Sequence, residues 1–281
     1  MYDYPKLKKD ISNTGVGILE LSNTTKEYIR ELNKISFKNR ITFNGNLYFV
    51  LTDVPLPANH RTLISKLKEK IIDINETIEG KDITYRFRDH HNLENPDGVS
   101  WNFYGAYEKL TILRKWLVDN YKKSIFQMWY EIPLQNNKNP SGVDVTKIHQ
   151  ELTKIYLELY GDLEEVQNFG REYNPNETIQ QTFRIQVYEE GCFIEPHFDG
   201  NAPDGHCVLL VYTNEDYVEG KGGELVCIDT KGKEITVPPT IGTLAIIDFK
   251  KDPSHAVNVV KEKDWMRTVI GCWWPAHQVS Y

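Results

Sequence analysis

The sequence has no basic excess and no long apolar run. Its 281 residues carry 33 Lys and Arg against 40 Asp and Glu, which gives a formal net charge of −7. Proteins that bind nucleic acids usually show the opposite balance, because lysine and arginine neutralise phosphates. A membrane-spanning helix needs about 18 or more consecutive apolar residues, and the sequence contains no such stretch. We therefore expect neither a nucleic-acid nor a membrane partner.

Cysteine is scarce and is not arranged in pairs. The four cysteines are Cys192, Cys207, Cys227 and Cys272, all in apolar, strand-like segments and none in a Cys-x-x-Cys motif. The polar segment from Met1 to Asp10 does not look like a secretory signal. A disulfide framework is not expected in such a chain. We expect buried, reduced thiols and a cytoplasmic location.

The sequence does contain enough apolar mass for a folded core, with 40% hydrophobic and 12% aromatic residues. The chain divides into two regions with different predicted secondary structure. Residues 1–175 are predicted to be mostly helical and to supply support and a lid, whereas residues 176–281 are predicted to form strands and turns. We expect the two regions to pack as one integrated α+β domain.

Hydrophobic periodicity supports this division. A period near 3.6 residues predicts helices over 60–76, 107–130 and 143–160, and Thr24 to Glu27 resembles a helix start. Alternation then predicts about seven strands, near 183–188, 207–212, 224–228, 234–237, 244–247, 256–260 and 268–273. Short antiparallel strands separated by Gly and Pro favour a sandwich or barrel. The cluster at 101–104 is either part of the lid or a buried strand.

One constellation of residues suggests metal chemistry. His197 and Asp199 are two residues apart, a spacing that places both side chains on one face of a strand. His255 follows at the start of another predicted strand. Two histidines and one carboxylate on one side of a metal form the facial triad of non-haem Fe(II) oxygenases. His-x-Asp by itself is a weak signal, because it occurs by chance in many chains.

The surrounding residues make the pattern specific. They occur in this order: Tyr188, Gly191, Phe193, His197, Asp199, Tyr212, Asn214, Gly222-Gly223-Glu224-Leu225, Pro238, Gly242, Ile247-Asp248-Phe249, His255, Val257, Val260, Arg267 and Trp273. With these residues the sequence resembles the 2-oxoglutarate oxygenases of the prolyl-hydroxylase type. The resemblance covers residues 181–275, about a third of the chain.

The resemblance implies a fold and a set of cofactors. The fold would be a double-stranded β-helix, a jelly-roll or cupin-like barrel, with the helical N-terminal half packed around it. His197, Asp199 and His255 would hold Fe(II), with 2-oxoglutarate and O₂ as cosubstrates and ascorbate as the reductant in vitro. Arg267 would bind the remote carboxylate of 2-oxoglutarate, since a guanidinium matches a carboxylate in shape and charge. Tyr212 would donate its hydroxyl to the same carboxylate.

Other residues are candidates for the pocket. Tyr188 aligns with a tyrosine that lines the cofactor pocket, and by strand alternation Arg184 and Gln186 share its face. A buried arginine needs an anionic partner, which would be either the substrate or an internal carboxylate. Trp273 shares the face of Arg267, and His206 is close to the metal strand in sequence. Tyr212, Tyr188 and Trp273 have core packing as their alternative role.

The activity implied is oxidation of an unactivated C–H bond in a small molecule, with a free amino acid or amino-acid-derived metabolite as the first choice. Hydroxylation is the default outcome, and desaturation or oxidative cyclisation uses the same triad. The carboxylate at Asp199 argues against halogenation, because related halogenases have a small residue there. Two alternatives remain open: a peptidyl side-chain hydroxylase and a non-catalytic jelly-roll binding protein. A monomer or a homodimer is expected.

Overall fold

A computed structural model describes the chain apart from residues 1, 34–43, 52–57, 93–94, 122–124, 133–144, 164–165, 167–182, 200–205 and 275–281. The helices are α1 (Tyr4–Thr14), α2 (Asn23–Asn33), α3 (Ala58–Thr77), α4 (Tyr107–Tyr121) and α5 (Thr146–Tyr160). The first strands are β1 (Val16–Glu20), β2 (Asn44–Leu51), β3 (Thr84–Asn92), β4 (Asn95–Ala106) and β5 (Ile125–Ile132). The later strands are β6 (Phe183–Tyr188), β7 (Ile194–His197), β8 (Cys207–Tyr212), β9 (Leu225–Ile228), β10 (Glu234–Val237), β11 (Thr243–Asp248), β12 (Ser254–Val257) and β13 (Arg267–Trp274).

The chain divides into two compact units. The first comprises Met1–Ile35, Leu134–Gly191 and Glu195–Tyr281, and the second comprises Ser36–Pro133 with Cys192–Ile194. The predicted integration of residues 1–175 with 176–281 into one domain stays a prediction.

The first unit has a jelly-roll core of two antiparallel sheets. One sheet has the order β1-β11-β8-β13-β6 and the other has the order β10-β9-β12-β7. From β6 to β13 the chain passes back and forth between the two sheets, except that β9 and β10 are neighbours in the smaller sheet, and this winding characterises a jelly roll. The predicted α+β class and jelly-roll core are thereby confirmed.

Strand alternation gives the larger sheet two different faces. On one face Trp274 stacks against Tyr156 of α5 with ring centroids 4.7 Å apart, and the Tyr160 hydroxyl donates to Asp248 at 2.9 Å. The opposite face carries Arg267, which lies across the ladder from Tyr188. The helix-covered face is therefore structural, and the other face positions the candidate site.

The first helix and strand were not predicted from sequence. Helix α1 begins where Asp3 accepts a hydrogen bond from the backbone N–H of Lys6, and it ends at Gly15, which has φ 78°. It lies so close to β1 that a Cβ on Gly17 would come within 2.9 Å of side-chain atoms of Leu7 and Ile11. Such packing depends on tertiary contacts that local periodicity does not encode.

The second unit contains helices α3 and α4 and the strand order β5-β2-β4-β3. Four of the strands missed in the N-terminal half therefore belong to one antiparallel sheet. The prediction of a helix continuing over 107–130 was wrong in its second half, because α4 ends at Tyr121 and β5 follows. Residues 101–104 lie in β4, where Phe103 is fully buried, and the role of this cluster as a lid stays a prediction.

The cysteines behave as expected. All four are buried, and none forms a disulfide with another. Among the described residues, no helix has both the length and the apolar character needed to cross a membrane.

A buried histidine in α5 gives a prediction about stability and pH. His149 is fully buried beside Trp274, and burial lowers its pKa from 6.5 to about 4. Between these values the unfolded chain binds a proton that the folded chain excludes, so stability falls as the pH drops from 6.5 towards 4. We expect a loss of about 3 kcal/mol across that window. Urea unfolding at pH 7 and pH 4.5 should show a smaller pH dependence in His149→Gln, and equal dependence in both proteins would contradict the assignment.

Candidate functional site

Three side chains converge at the end of the smaller sheet. The Nε2 atom of His197 lies 3.7 Å from Oδ1 of Asp199, and Nε2 of His255 lies 3.5 Å from Oδ2 of the same carboxylate. One ligand atom from each residue falls within 4.8 Å of the others. The predicted triad is thus brought together, from residues far apart in sequence.

We predicted that strand alternation would place Asp199 beside His197, but the structure brings them together in another way. Strand β7 ends at His197, and Asp199 follows in an irregular segment. Its backbone N–H donates to Oδ1 of Asp252 at 3.0 Å. Asp252, which sequence reasoning missed, lies three residues before His255 and has φ 43°. The sequence contains no pattern that would have identified Asp252; only its positive φ in the folded structure marks it. Asp tolerates that conformation better than most non-glycine residues.

Both histidines are held in the tautomer that suits a metal ligand. Nδ1 of His197 lies 2.9 Å from the carbonyl oxygen of Glu195, and Nδ1 of His255 lies 3.1 Å from that of Pro253. A carbonyl oxygen only accepts hydrogen bonds, so each Nδ1 carries a proton, and Nε2, the ring nitrogen nearest Asp199, is the atom that a metal would bind. Outer hydrogen bonds of this kind orient metal-binding histidines.

The two imidazoles differ electrostatically. Burial and the neighbouring His255 lower the pKa of His197 despite the Asp199 charge. Burial also acts to lower the pKa of His255, but the hydrogen bond and charge of Asp199 outweigh it, so the net shift is upward. Metal binding needs neutral imidazoles and displaces protons from such sites. Two imidazole nitrogens and a carboxylate oxygen are a donor set suited to Fe(II), with positions left for further ligands.

A second feature is a buried cation on the inner face of the larger sheet. Arg267 is 1% exposed, and its guanidinium carbon lies 4.3 Å from the centroid of the Tyr188 ring and 5.2 Å from that of Tyr212. Within the described part of the chain, Arg267 Nε and Nη1 have no hydrogen-bond partner, and neither does the Tyr212 hydroxyl. Buried polar groups in this state suit an anionic ligand that accepts several hydrogen bonds.

Tyr212 is a donor in this environment. Burial raises its pKa to about 12, although the charge of Arg267 acts in the opposite direction. The hydroxyl therefore keeps its proton at neutral pH and can donate it to a carboxylate. Tyr188 uses its hydroxyl differently, donating to Oε1 of Gln186 at 3.3 Å.

The predicted substrate residues lie in different places. Gln186 is buried and lies opposite Val269 in the sheet. Trp273 is half-buried, and its ring lies over Gly271, where a Cβ would be 2.5 Å from it. The backbone of Arg184 lies opposite that of Gly271, while its side chain lies outside the described residues.

His206 is placed away from this face. Its Nδ1 lies 2.8 Å from the Tyr156 hydroxyl, and its ring stacks near Tyr160. Both tyrosines belong to α5, on the side of the sheet where Trp274 packs. Proximity in sequence to the metal strand therefore does not bring this histidine to the face that carries Arg267.

The two glycines at 222 and 223 serve backbone geometry. Both have φ 78°, and a Cβ on Gly222 would lie 2.0 Å from the carbonyl oxygen of Val259. Only glycine adopts this conformation without strain and fits this space.

Comparison with known proteins shows which family and which solved structures this chain is similar to. Residues 183–275 match the model of the 2OG-Fe(II) oxygenase superfamily, and no curated protein sequence matches the chain. A prolyl-4-hydroxylase from Pseudomonas putida is 12% identical, with a TM-score of 0.42 and coverage of 96% of this chain and 97% of that one. A Trichoplax adhaerens prolyl hydroxylase, crystallised with a hypoxia-inducible-factor peptide, is 11% identical, with a TM-score of 0.41 and coverage of 89% and 91%.

A third similar structure acts in small-molecule metabolism. It is the non-haem α-ketoglutarate-dependent epimerase SnoN of nogalamycin biosynthesis, 8% identical, with a TM-score of 0.43 and coverage of 96% of this chain and 81% of that one. The family model and the donor set agree with each other: residues 183–275 belong to the 2OG-Fe(II) oxygenase superfamily, and the protein is a 2-oxoglutarate-dependent dioxygenase that uses Fe(II) and O₂.

Proposed function

We propose that His197, Asp199 and His255 bind the iron, and that Arg267, with Tyr212 and Tyr188, binds the remote carboxylate of 2-oxoglutarate. The observation that carries this proposal is the guanidinium of Arg267, which is buried between two tyrosine rings with nitrogen atoms that lack hydrogen-bond partners. A dicarboxylate would supply the missing acceptors and the missing negative charge.

Iron and 2-oxoglutarate together would supply O₂-dependent oxidation of a C–H bond, with 2-oxoglutarate converted to succinate and CO₂. The protein's own contribution is binding and orientation. The carbonyl groups of Glu195 and Pro253 fix the imidazole tautomers. Burial of Arg267 and Tyr212 excludes water from the carboxylate site and strengthens the charge-assisted hydrogen bonds made there.

We propose a small molecule as the substrate, with a free amino acid or amino-acid-derived metabolite as the first choice. The support comes from the resemblance of the sequence to stand-alone oxygenases of small molecules, although the region before the jelly-roll core contains the sheet of β2 to β5 as well as helices. Gln186 and Trp273 are the proposed substrate contacts, because strand alternation puts them on the face that carries Arg267. Hydroxylation is the proposed outcome, since the carboxylate at Asp199 occupies the position that a halide would need.

The test is a turnover assay on a defined pool. Protein, Fe(II), ascorbate and 2-oxoglutarate are incubated with amino acids and their derivatives in one arm and with proline-containing peptides in the other. Mass spectrometry follows succinate and every pool member. A product heavier by one oxygen in the first arm supports the proposal, and one lighter by two hydrogens indicates desaturation or cyclisation. A product confined to the peptide arm would overturn the small-molecule assignment in favour of a peptidyl hydroxylase.

Asp252 gives a prediction about iron affinity. Its carboxylate holds the backbone N–H of Asp199 at 3.0 Å and so links the two parts of the triad. Loss of an outer partner of a metal ligand typically costs about 10- to 100-fold in metal affinity. We expect Asp252→Ala to weaken Co(II) binding by that factor in an anaerobic titration, whereas Asp252→Asn, which keeps the acceptor, should bind Co(II) nearly as tightly as the native protein.

Asp264 provides the matched control for backbone strain. It is the other non-glycine residue with positive φ in the described part of the chain, at 60°, and it is exposed. Asp264→Ala imposes the same conformational penalty away from the triad and should leave Co(II) affinity unchanged. Native affinity in Asp252→Ala would show that its hydrogen bond does not support the metal site.

A further inference from the structure

The two tyrosine rings beside Arg267 do not by themselves explain why its guanidinium stays buried. A buried charge without a paired charge is costly, and an arginine side chain is long enough to turn towards solvent and recover its hydration. Arg267 is nevertheless 1% exposed. Surrounding structure must therefore hold the backbone and the aliphatic stem of this residue in place.

Asn214 holds the backbone on both sides of Arg267. It is 8% exposed, and its Nδ2 donates to the carbonyl oxygen of Met266 at 2.7 Å. Its Oδ1 accepts a hydrogen bond from the backbone N–H of Thr268 at 3.0 Å. The two groups belong to the residues that flank Arg267, so one amide side chain fixes the direction in which Arg267 leaves the strand.

Gly223 lies against the stem of Arg267 on another side and leaves room for it. A Cβ on this glycine would lie 2.9 Å from Cδ of Arg267 and 3.3 Å from Cγ2 of Val260, and its φ is 78°. The stem of Arg267 thus occupies the space that a side chain at position 223 would fill. Any larger residue there would push the guanidinium away from the tyrosine rings.

We propose that Asn214 and Gly223 form a clamp that holds Arg267 in place, so that the anion-binding site exists before 2-oxoglutarate arrives. This inference rests on the proposed role of Arg267. Such a clamp improves affinity because the ordering of a flexible side chain is completed during folding and does not oppose ligand binding. Asn214 and Gly223 are positioning residues, and they act on the ligand only through Arg267.

The experiment compares two clamp variants with two matched controls, each in the full chain. Asn214→Ala removes two side-chain hydrogen bonds to backbone, and Asn75→Ala removes an equivalent pair, made to the N–H and carbonyl of Ile83 at 2.8 and 3.3 Å. Gly223→Ala introduces a Cβ at φ 78°, and Gly232→Ala does so at φ 77° with no atom within 4 Å. Anaerobic calorimetry on the Co(II)-loaded proteins gives the Kd of 2-oxoglutarate, a separate titration gives the Kd of Co(II), and urea unfolding gives stability.

We expect both clamp variants to bind 2-oxoglutarate about tenfold more weakly while their Co(II) affinity stays native. The controls should lose stability by similar amounts and keep native affinity for both ligands. Native 2-oxoglutarate affinity in the clamp variants would overturn the clamp, and so would equal weakening in the controls or a parallel loss of Co(II) affinity. If Asn214→Ala does not fold, the comparison of Gly223→Ala with Gly232→Ala decides the matter.

Arg267→Met separates this inference from the one on which it rests. If Arg267→Met itself binds 2-oxoglutarate normally, the proposed role of Arg267 fails and the clamp fails with it. If Arg267→Met binds weakly and the clamp variants bind normally, only the clamp is overturned.

Discussion

Asp199→Ala is expected to reduce 2-oxoglutarate turnover to the level of a metal-free control. The substitution removes the anionic ligand that lies 3.7 Å and 3.5 Å from the two histidine Nε2 atoms. Two neutral imidazoles then face a divalent cation without a compensating charge. The loss of affinity should exceed the ~100-fold that follows from removing an outer hydrogen-bond partner.

Metal-dependent stability provides a readout that does not need the substrate. A ligand that binds only the folded state stabilises it by about 2.7 kcal/mol at 100 times its Kd. Co(II) should therefore raise the Tm of the native protein and of Asp264→Ala, and it should leave the Tm of Asp199→Ala unchanged. His197→Ala and His255→Ala should behave like Asp199→Ala. A normal Co(II) shift in all three variants would show that the iron binds elsewhere.

Arg267→Met is expected to weaken 2-oxoglutarate binding by at least about 30-fold while leaving the protein without 2-oxoglutarate as stable as before or more stable. Removing one partner of a buried, hydrogen-bonded charge pair costs about 2–5 kcal/mol, which corresponds to that factor or more in Kd. Stability should not fall, because the buried guanidinium has nitrogen atoms without hydrogen-bond partners among the described residues. A methionine of similar length avoids the cost of burying that charge.

Two tyrosine variants refine the test. Tyr212→Phe deletes a hydroxyl that has no partner within the described part of the chain, so it should preserve stability and weaken 2-oxoglutarate binding. Tyr217→Phe is the control, because its hydroxyl donates to Glu224 at 2.7 Å and its loss should affect stability without affecting 2-oxoglutarate affinity. A variant that keeps its stability but binds 2-oxoglutarate more weakly identifies a ligand-binding group. A fall in stability for Arg267→Met with unchanged affinity would instead identify a structural ion-pairing residue.

Much of the fold of the C-terminal region followed from the sequence. Alternation located β6, β8, β10, β11 and β13 to within a residue or two, because these strands bury one or both faces and their apolar residues are regularly spaced. The three ligand candidates were named from residue type and spacing, and Arg267 was named from the resemblance to the oxygenase family. The N-terminal strands escaped prediction, because the periodicity of α4 appeared to continue into β5, and because sheet pairing is a long-range contact that local patterns do not reveal.

The sequence by itself determined the chemistry of this protein: two histidines, a carboxylate and an arginine in an order that matches one oxygenase superfamily. Only the tertiary structure decided how those groups are held. The backbone N–H of Asp199 is bound by the side chain of Asp252 beyond the end of β7. Asn214 binds the backbone on both sides of Arg267, and Gly223 lies against the stem of that arginine. His206, close to the triad in sequence, packs against α5 instead. The physical reason is that residue type fixes what a side chain can bind, whereas its direction is set by hydrogen bonds and packing between segments distant in sequence.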